Sequence, residues 1–343
     1  MTLEVISTGP MLSIQDQGRS GLRHFGVSAA GPMDAPSLAL ANALCGNSTT
    51  AAGLEFAGVG GRFRADHPIH FAVTGGDCEI KVGDRLRPTR ECHRLEPGED
   101  LQIGFLRGAT WGYLAIAGGI DVPEVLNARA THLRFGLGGH EGRVLKAGDR
   151  LPLGPPPEEQ TCLRALPSMS GSSHRDGPIR IVLGPQDGYF SDYVKARLTE
   201  EAFTITPKRD RMATVLEGPP LPAERGHDIV SDGTIAGAIQ VPGSGQPMVL
   251  MAEAQTTGGY PKIATVISSD LPRLAQMVTG TQFRFAVVDR DAAEEIAIEE
   301  AARLDRMLRN LAVKADRVLS SDYLLSCDLI GGFSCPEQIT GDD

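Results

Sequence analysis

The chain has 343 residues, of which 41% are hydrophobic and 22% are charged, and its formal net charge is -10 at neutral pH. This length favours two domains, and the composition excludes a disordered or fibrous protein. The negative charge, with no cluster of Lys and Arg, excludes a surface for nucleic acid or for anionic membranes.

Short apolar segments, separated by many of the 41 glycines and 23 prolines, run through most of the chain. This spacing predicts strands joined by tight turns, and hence a mostly β fold with peripheral helices. The clearest predicted strands are Ile69–Thr74, Trp111–Ala117 and Gln282–Val288, where apolar side chains alternate with smaller or polar ones.

A turn pattern recurs before several predicted strands. Gly83 and Gly148 each begin the tetrapeptide Gly-Asp-Arg-Leu, and looser versions begin at Gly98 and Gly280. Glycine accepts the positive φ of a tight turn, so each pattern is expected to lead into a strand. The repetition is typical of a barrel-like meander, and either an internal duplication or the general frequency of Gly-Asp in turns explains it.

Three helices are predicted from helical spacing of apolar residues. The first covers Ala35–Cys45 and is capped by Asp34, and a shorter one begins near Phe190. The longest begins at Asp291, which forms a capping box with Glu294, and one of its faces is expected to be buried. That face packs either on the chain's own barrels or on a partner.

The proline-rich stretch after Gly154 and the polar segment up to Gly177 lack periodicity and cannot bury a face. A domain boundary is therefore predicted within this segment. The predicted organisation is a first domain over residues 1–155, a linker over 156–177, a second domain over 178–290, and a C-terminal helix and tail over 291–343.

The N-terminus has no basic segment followed by an apolar core, and no later apolar run reaches the length of a membrane span. The six cysteines include no Cys-x-x-Cys pair and are expected to be reduced. Both features predict a cytoplasmic location.

The triplet Met-Lys-Met resembles the attachment site of biotin carrier domains, and no lysine of this chain lies in such a triplet. Any biotin is therefore expected on another chain.

Several glycine-rich motifs follow one another along the chain. They are, in chain order, Gln15–Gly21, His24, Gly26–Asp34, Thr74–Asp77, Leu114–Pro123, Gly138-Gly139, Gly142–Leu145, Gly237–Pro242, Gly245–Pro247 and Gln255–Ala264, which ends the densest block. Together these motifs resemble the biotin-dependent carboxyltransferase-like family over the chain from Leu3 to Phe285. One departure lies at Arg209–Thr214, where the family has a Ser-Asn-Arg-Met-Gly-Tyr-like run and this chain lacks the glycine and the aromatic residue.

This resemblance implies a pair of cyclophilin-like β-barrel domains, related to half of the carboxyltransferase region of urea carboxylase. It also implies a smaller companion, similar to the B subunit of 5-oxoprolinase, and possible assembly with a third chain similar to the A subunit. The activity it implies is ATP-dependent hydrolysis of 5-oxoproline to glutamate, with ATP used through the complex. Two alternatives stay open. One is carboxyl transfer from biotin to urea or a related amide, and the other is binding of a regulatory partner without catalysis.

The segment Gln255–Lys262 carries the strongest candidate chemistry. Its glycines, Gly258 and Gly259, permit close backbone approach, and its side chains are able to orient a substrate and neutralise charge on a carboxylate, phosphate or oxyanion. A simple turn between strands, with Pro261 fixing its exit, is the alternative. The candidate residues here are Gln240, Gln255, Thr256, Gly258, Gly259 and Tyr260 for substrate binding and Thr257 and Lys262 for catalysis.

Further candidates lie outside this segment. Asp16 and Arg19 either pair with each other across a turn or recognise a substrate carboxylate, and Arg211 is a second candidate for the latter role. His24 is either a structural histidine or a proton carrier in amide hydrolysis. His67 and His70 straddle Pro68 without a neighbouring cysteine pair, so no metal site is predicted.

Two common catalytic motifs are missing from the sequence. No Gly-x-Ser-x-Gly elbow occurs, so the motif gives no support for nucleophilic catalysis, and Gly243-Ser244-Gly245 is interpreted as a hairpin loop. A phosphate-binding P-loop is also absent, so the companion is expected to contribute much of any ATP site.

Overall fold

Burial along the strands collects the apolar side chains of two β-rich lobes into two main cores, one inside the first lobe and one that the second lobe shares with first-lobe residues such as Leu38 and Tyr113. The computed structural model of the chain describes residues 1–157, 164–166 and 177–313. The predicted mostly β class with two barrel-like units is confirmed. Most of the predicted linker and the tail after residue 313 lie outside the described residues, and the predicted domain boundaries stay predictions.

The first lobe is built from two sheets with strand orders β11-β1-β4-β9-β6-β7 and β2-β3-β10-β5-β8. Its core lies between these sheets and includes Val5, Phe56, Phe71 and Leu114. The strands are β1 (Thr2–Thr8), β2 (Ser13–Gln15), β3 (Gly53–Ala57), β4 (Val59–Ala65), β5 (Ile69–Thr74), β6 (Ile80–Val82), β7 (Arg85–Arg87), β8 (Cys92–Leu95), β9 (Asp100–Phe105), β10 (Trp111–Ile116) and β11 (Arg150–Pro152).

The second lobe is one sheet of eight strands in the order β21-β14-β15-β18-β17-β20-β13-β22. Two small sheets, β12-β23 and β16-β19, accompany it. The strands are β12 (Arg164–Ala165), β13 (Ile179–Leu183), β14 (Phe203–Arg209), β15 (Ala213–Glu217), β16 (Asp232–Gly233), β17 (Ala238–Gln240), β18 (Met248–Leu250), β19 (Thr257–Gly258), β20 (Lys262–Val266), β21 (Gln282–Phe283), β22 (Phe285–Val287) and β23 (Ala312–Val313).

The strand and turn predictions are confirmed with small changes at the ends. Two predicted strands match β5 and β10, and the third is divided into β21 and β22. The recurrent turns lead into β7, β9, β11 and β21, and their glycines all have positive φ, at 56° for Gly83, 83° for Gly98, 92° for Gly148 and 88° for Gly280.

The described residues form four α-helices, α1 (Ala35–Leu44), α2 (Asp192–Glu200), α3 (Leu271–Gln276) and α4 (Arg290–Arg309). The predicted cap of α1 is confirmed, since Asp34 accepts a hydrogen bond from the Ser37 amide at 3.1 Å. Every residue of α1 from Leu38 to Leu44 is buried, and the helix packs in the same core as the second lobe. Helix α1 therefore lies between the lobes. None of the described helices combines the length and apolar content that crossing a bilayer requires.

The predicted start of the longest helix is wrong. The capping residue is Asp289, whose carboxylate accepts from the Ala292 amide at 2.8 Å, because Asp289 has the extended backbone of a cap. The predicted face is half-buried at Ala297, Leu304 and Leu308, although no residue of α4 is fully buried. Leu308, near the end of the helix, packs against the core of the second lobe.

The Gln276 side chain joins the two lobes by hydrogen bonds. Its Oε1 accepts from the amides of Thr110 at 3.2 Å and Trp111 at 3.0 Å, where β10 begins. Its Nε2 donates to Asp34 Oδ2 at 2.8 Å and to the Trp111 carbonyl at 2.9 Å. One residue at the end of α3 thus fixes the first lobe's β10 and the cap of α1 against the second lobe.

We expect Gln276→Ala to destabilise the protein, because it leaves the buried Trp111 amide and the half-buried Thr110 amide without an acceptor. An unsatisfied buried group costs about 1–3 kcal/mol, and we expect a loss of about 2 kcal/mol in the free energy of unfolding. Urea denaturation measures this change. The control is Gln102→Ala on β9, where the side chain is exposed. Equal unfolding midpoints for the two variants would show that the lobes do not depend on Gln276.

Candidate functional site

The bend at 255–262 lies beside the short pair of strands β16 and β19, where Asp232 pairs with Gly258. Lys262, which begins β20, is 3% exposed, and its Nζ donates to Asp232 Oδ2 at 2.6 Å. Gln186 supports both residues, since its Oε1 accepts from the Lys262 amide and its Nε2 donates to Asp232, each at 3.2 Å. The hydrogen bond from Lys262 lowers the pKa of Asp232. The ammonium is therefore held at one place beside the bend.

Gln240, on β17, places an amide directly against the bend. The side chain is fully buried, and its Oε1 accepts from Gln255 Nε2 at 3.4 Å. Its Nε2 has no hydrogen-bond partner among the described residues and faces Gly258, where a Cβ atom would overlap it. A buried donor without a partner is costly, so this amide is a candidate to bind a ligand oxygen.

The backbone of the bend is fixed through its carbonyl groups. The Thr256 carbonyl accepts from the Thr234 amide at 3.0 Å, and the Gly259 carbonyl accepts from the Ile229 amide at 2.9 Å. Thr257 and Tyr260 have exposed side chains, whereas Gln255 and Thr256 are half-buried. The predicted substrate-binding residues of this segment are thus gathered on one rigid bend.

A turn of the first lobe reaches the same bend. Arg23 donates from Nη2 to the carbonyls of Thr234 and, at 3.4 Å, of Gln255. The neighbouring His24 is exposed, and its ring lies 3.9 Å from that of Phe25 between centroids. The structure therefore brings the His24 turn to the bend of the second lobe.

Asp16 and Arg19 do not form an ion pair within the described residues. Asp16 accepts from the amides of Gly18 at 2.8 Å, Arg129 at 2.5 Å and Ala130 at 3.2 Å. Arg19 is 1% exposed and donates to the carbonyls of Val125 at 3.0 Å and Ala130 at 2.7 Å. Its Nη1 has no partner among the described residues. Burial lowers the pKa of Arg19, and one guanidinium nitrogen is left to bind a ligand.

Arg211 lies between two carboxylates that belong to different lobes. Its Nε donates to Glu253 Oε1 at 2.7 Å, its Nη1 to Glu55 Oε1, and its Nη2 to the Gly31 carbonyl at 2.6 Å. Glu55 also accepts from the hydroxyl of Tyr113 at 2.8 Å, and burial raises its pKa. All three donor positions of Arg211 are thus engaged within the protein.

The departure from the family pattern at 209–214 has a local structural explanation. Asp210 Oδ1 accepts from the amides of Met212 at 2.7 Å and Ala213 at 3.0 Å. An aspartate bonded to backbone amides two and three residues further on stabilises a tight turn without glycine. The turn that carries Arg211 is therefore kept by a different residue.

Three buried polar residues that the sequence did not indicate lie next to this cluster. Ser28 Oγ lies 2.8 Å from His132 Nε2, and His132 Nδ1 lies 3.6 Å from Glu253 Oε2. Ser28 belongs to the motif Gly26–Asp34, and Glu253 is an acidic residue within an apolar run, two positions before Gln255. The acidic residue in an apolar run was the one feature of the sequence that could have indicated a buried polar site here. The described residues hold no group of three or more His, Cys, Asp or Glu side chains suited to a metal ion.

Comparison with known proteins gives consistent matches over most of the chain. The family described as carboxyltransferase domain, subdomain A and B, matches residues 25–287. The chain is 35% identical over 285 residues to the C subunit of 5-oxoprolinase from Escherichia coli (strain K12), covering 82% of this chain and 90% of the relative. It is 34% identical over 306 residues to the C subunit of 5-oxoprolinase from Haemophilus influenzae, covering 89% of this chain and 94% of the relative.

Among solved structures, the crystal structure of the K. lactis urea amidolyase matches with a TM-score of 0.82 and 26% identity. The match covers 89% of this chain and 20% of that protein, so the chain spans a fifth of its length. The two-lobed arrangement therefore recurs as one part of a much longer enzyme.

We expect Gly258→Ala to destabilise the bend, because the added Cβ overlaps Gln240 Nε2 and lies 3.1 Å from Thr234 Cγ2. Overpacking of this kind costs about 1–3 kcal/mol, measured as the free energy of unfolding in urea. Gly259→Ala is the matched control, since its Cβ would meet only the Ile229 carbonyl oxygen at 3.6 Å, and neither glycine needs a positive φ. Equal stability of the two variants would mean that Gln240 moves freely away from the bend.

Proposed function

The chain belongs to the family of the carboxyltransferase domain, subdomains A and B, and from this premise we propose that it is the C subunit of a 5-oxoprolinase. In this proposal it binds 5-oxoproline between its lobes and, with companion subunits, opens the lactam to give glutamate at the expense of ATP. Two relatives of this name that match along nearly their whole length support the proposal.

The observation that carries the proposal is that two of the buried donors without partners among the described residues, Arg19 Nη1 and Gln240 Nε2, belong to candidate substrate-binding residues. The charge of Glu253 acts on Arg19, and Gln255, two residues after Glu253, donates a hydrogen bond to Gln240. 5-Oxoproline carries a carboxylate and a lactam carbonyl, whose oxygens are the acceptors that such donors require. The two donors therefore suit the two acceptor groups of this substrate.

The remaining candidate residues have roles that follow from their positions. The Lys262 ammonium stabilises the negative charge that develops on the lactam oxygen when the carbonyl is attacked. Thr257, exposed on the bend, orients the substrate, and His24, exposed on the turn held by Arg23, carries a proton. Glu55 and Glu253 occupy Arg211, so this residue holds the two lobes together rather than binding the carboxylate directly.

The sequence of this chain has no P-loop for the phosphates of ATP. We therefore assign the ATP site to the complex, with a smaller chain similar to the B subunit of 5-oxoprolinase and a third similar to the A subunit. The proposed assembly is cytoplasmic.

Carboxyl transfer is the second candidate, favoured by the similarity to urea amidolyase. In that reaction the same candidate residues would accept a carboxylated biotin carried by another chain, and Arg19 and Gln240 would bind the carboxyl group and the ureido oxygen. Streptavidin separates the two candidates, because it blocks a biotin-dependent activity and leaves an oxoprolinase unaffected.

We expect release of glutamate from 5-oxoproline only when the purified chain is combined with its companion subunits and ATP. Colorimetric phosphate release and chromatographic detection of glutamate measure the two products together. Activity of the isolated chain equal to that of the complex would contradict the assignment to a multi-chain enzyme. Tight assembly without consumption of ATP or 5-oxoproline would instead indicate a regulatory binding protein.

We expect Lys262→Met to lower kcat of the complex by about 100-fold, because loss of one donor to a developing oxyanion costs about 10²–10³ in kcat. Methionine keeps the length of the side chain and removes its charge. Lys208→Met is the control, since Lys208 is exposed on β14. Unchanged kcat in the Lys262 variant, with assembly intact by gel filtration, would remove Lys262 from the reaction.

A further inference from the structure

Ser28, His132 and Glu253 form a line of hydroxyl, imidazole and carboxylate at the junction of the lobes. The Ser28 hydroxyl lies 2.8 Å from His132 Nε2, while His132 Nδ1 faces Glu253 Oε2 at 3.6 Å. His132 Nδ1 has no hydrogen-bond partner among the described residues. The order of groups is that of a nucleophile, a base and an orienting acid.

The protein holds each member of this line in place. The backbone of His132 bonds that of Leu137 in both directions, at 2.8 and 3.2 Å. Glu253 is fixed by Arg211 at 2.7 Å, so its second oxygen is directed to the imidazole. Ser28, His132 and Glu253 are 2%, 0% and 4% exposed, so bulk water is excluded from the line.

The electrostatic surroundings keep the imidazole ready to accept a proton. Burial is the largest cause of the lowered pKa of His132, and the positive charges of Arg19 and Arg211 lower it further. The Glu253 carboxylate acts in the opposite direction and stabilises the imidazolium once it forms. His132 is thus a neutral base at neutral pH, with a carboxylate in position for the protonated state.

We propose that Ser28 is a nucleophile activated by His132 and oriented through Glu253, and that it forms an ester with the acyl group of the amide substrate. The proposal rests on the function above for the identity of that acyl group and for the ATP that drives the overall reaction in the complex. Arg19 Nη1, the unpartnered donor whose charge acts on His132, holds the substrate carboxylate beside Ser28.

The bonds and protons of this step balance within the site. Ser28 Oγ bonds to the carbonyl carbon as its proton moves to His132 Nε2. The carbon–nitrogen bond then breaks, and the nitrogen takes the proton from Nε2. In a lactam the amine stays on the same molecule, so the intermediate is a glutamyl ester of Ser28. Water, deprotonated by the same imidazole, adds to the ester carbon, and the proton returns to Ser28 as glutamate leaves.

Access to the line passes Phe135. Its ring stacks on the His132 imidazole with centroids 4.4 Å apart and an interplanar angle of 25°, and Phe135 is 48% exposed. This ring lies between the imidazole and solvent. A change that removes it is therefore expected to admit reagents to Ser28 while leaving the hydroxyl, imidazole and carboxylate in place.

The experiment treats the full-length chain, without ATP or companions, with a fluorophosphonate probe and locates the label by peptide mass mapping. We expect a label on Ser28, faster labelling in Phe135→Ala, and labelling at least about 100-fold slower in His132→Asn, the range for loss of a general base. Ser28→Ala removes the label, and Ser244→Ala, at an exposed serine in a loop, leaves it unchanged. Thermal unfolding checks that each variant is folded.

Two results would overturn the proposal. One is the absence of a label on Ser28 in both the unmodified chain and Phe135→Ala, and the other is an equal labelling rate in folded His132→Asn. An activity assay of the complex with its companion subunits tests the nucleophile and the proposed function separately. Full oxoprolinase activity of the Ser28→Ala complex would show that Ser28 is not the nucleophile and would leave the proposed function standing. A label on Ser28 in a chain whose complex has no oxoprolinase activity would support Ser28 as the nucleophile and contradict the proposed function.

Discussion

The buried guanidinium of Arg211 is the interaction on which the arrangement of the two lobes depends. A charge removed from water costs several kcal/mol unless carboxylates and hydrogen bonds compensate it. Here the compensation comes from both lobes, with Glu55 on β3 of the first lobe and Glu253 from the second. Separating the lobes would leave Glu55 buried without its cation, so the pair of lobes is held together at this point.

This constraint also positions the candidate site. Arg211 takes the Gly31 carbonyl as its third acceptor, and Gly31 belongs to the same motif that contains Ser28. Glu253, the other end of the cluster, stands two residues before the bend that carries the candidate residues of the second lobe. Formation of one buried charge network therefore determines where the first lobe's loop and the second lobe's bend face each other.

The sequence predicted the local parts of this structure well. The strand Ile69–Thr74 and the Asp34 cap depend on alternation and on a single side chain near the backbone, and both were confirmed. The cap of helix α4 was predicted at Asp291 and lies at Asp289, because both residues are aspartates and the sequence does not show which of them has the extended backbone of a cap. The pairing of Ser28 with His132 joins residues 104 positions apart, and no local pattern encodes such a contact.

The same reasoning explains why the motifs located the bend without showing how it works. Lys262 and the glycines stand together in the sequence, but Asp232, which holds the ammonium, and Gln240, which fills the space against Gly258, come from other strands. Burying unpaired donors such as Gln240 Nε2 and Arg19 Nη1 lowers the stability of the folded chain. A ligand that accepts from both donors would recover this loss, and because the donors come from both lobes, it would also hold the lobes together.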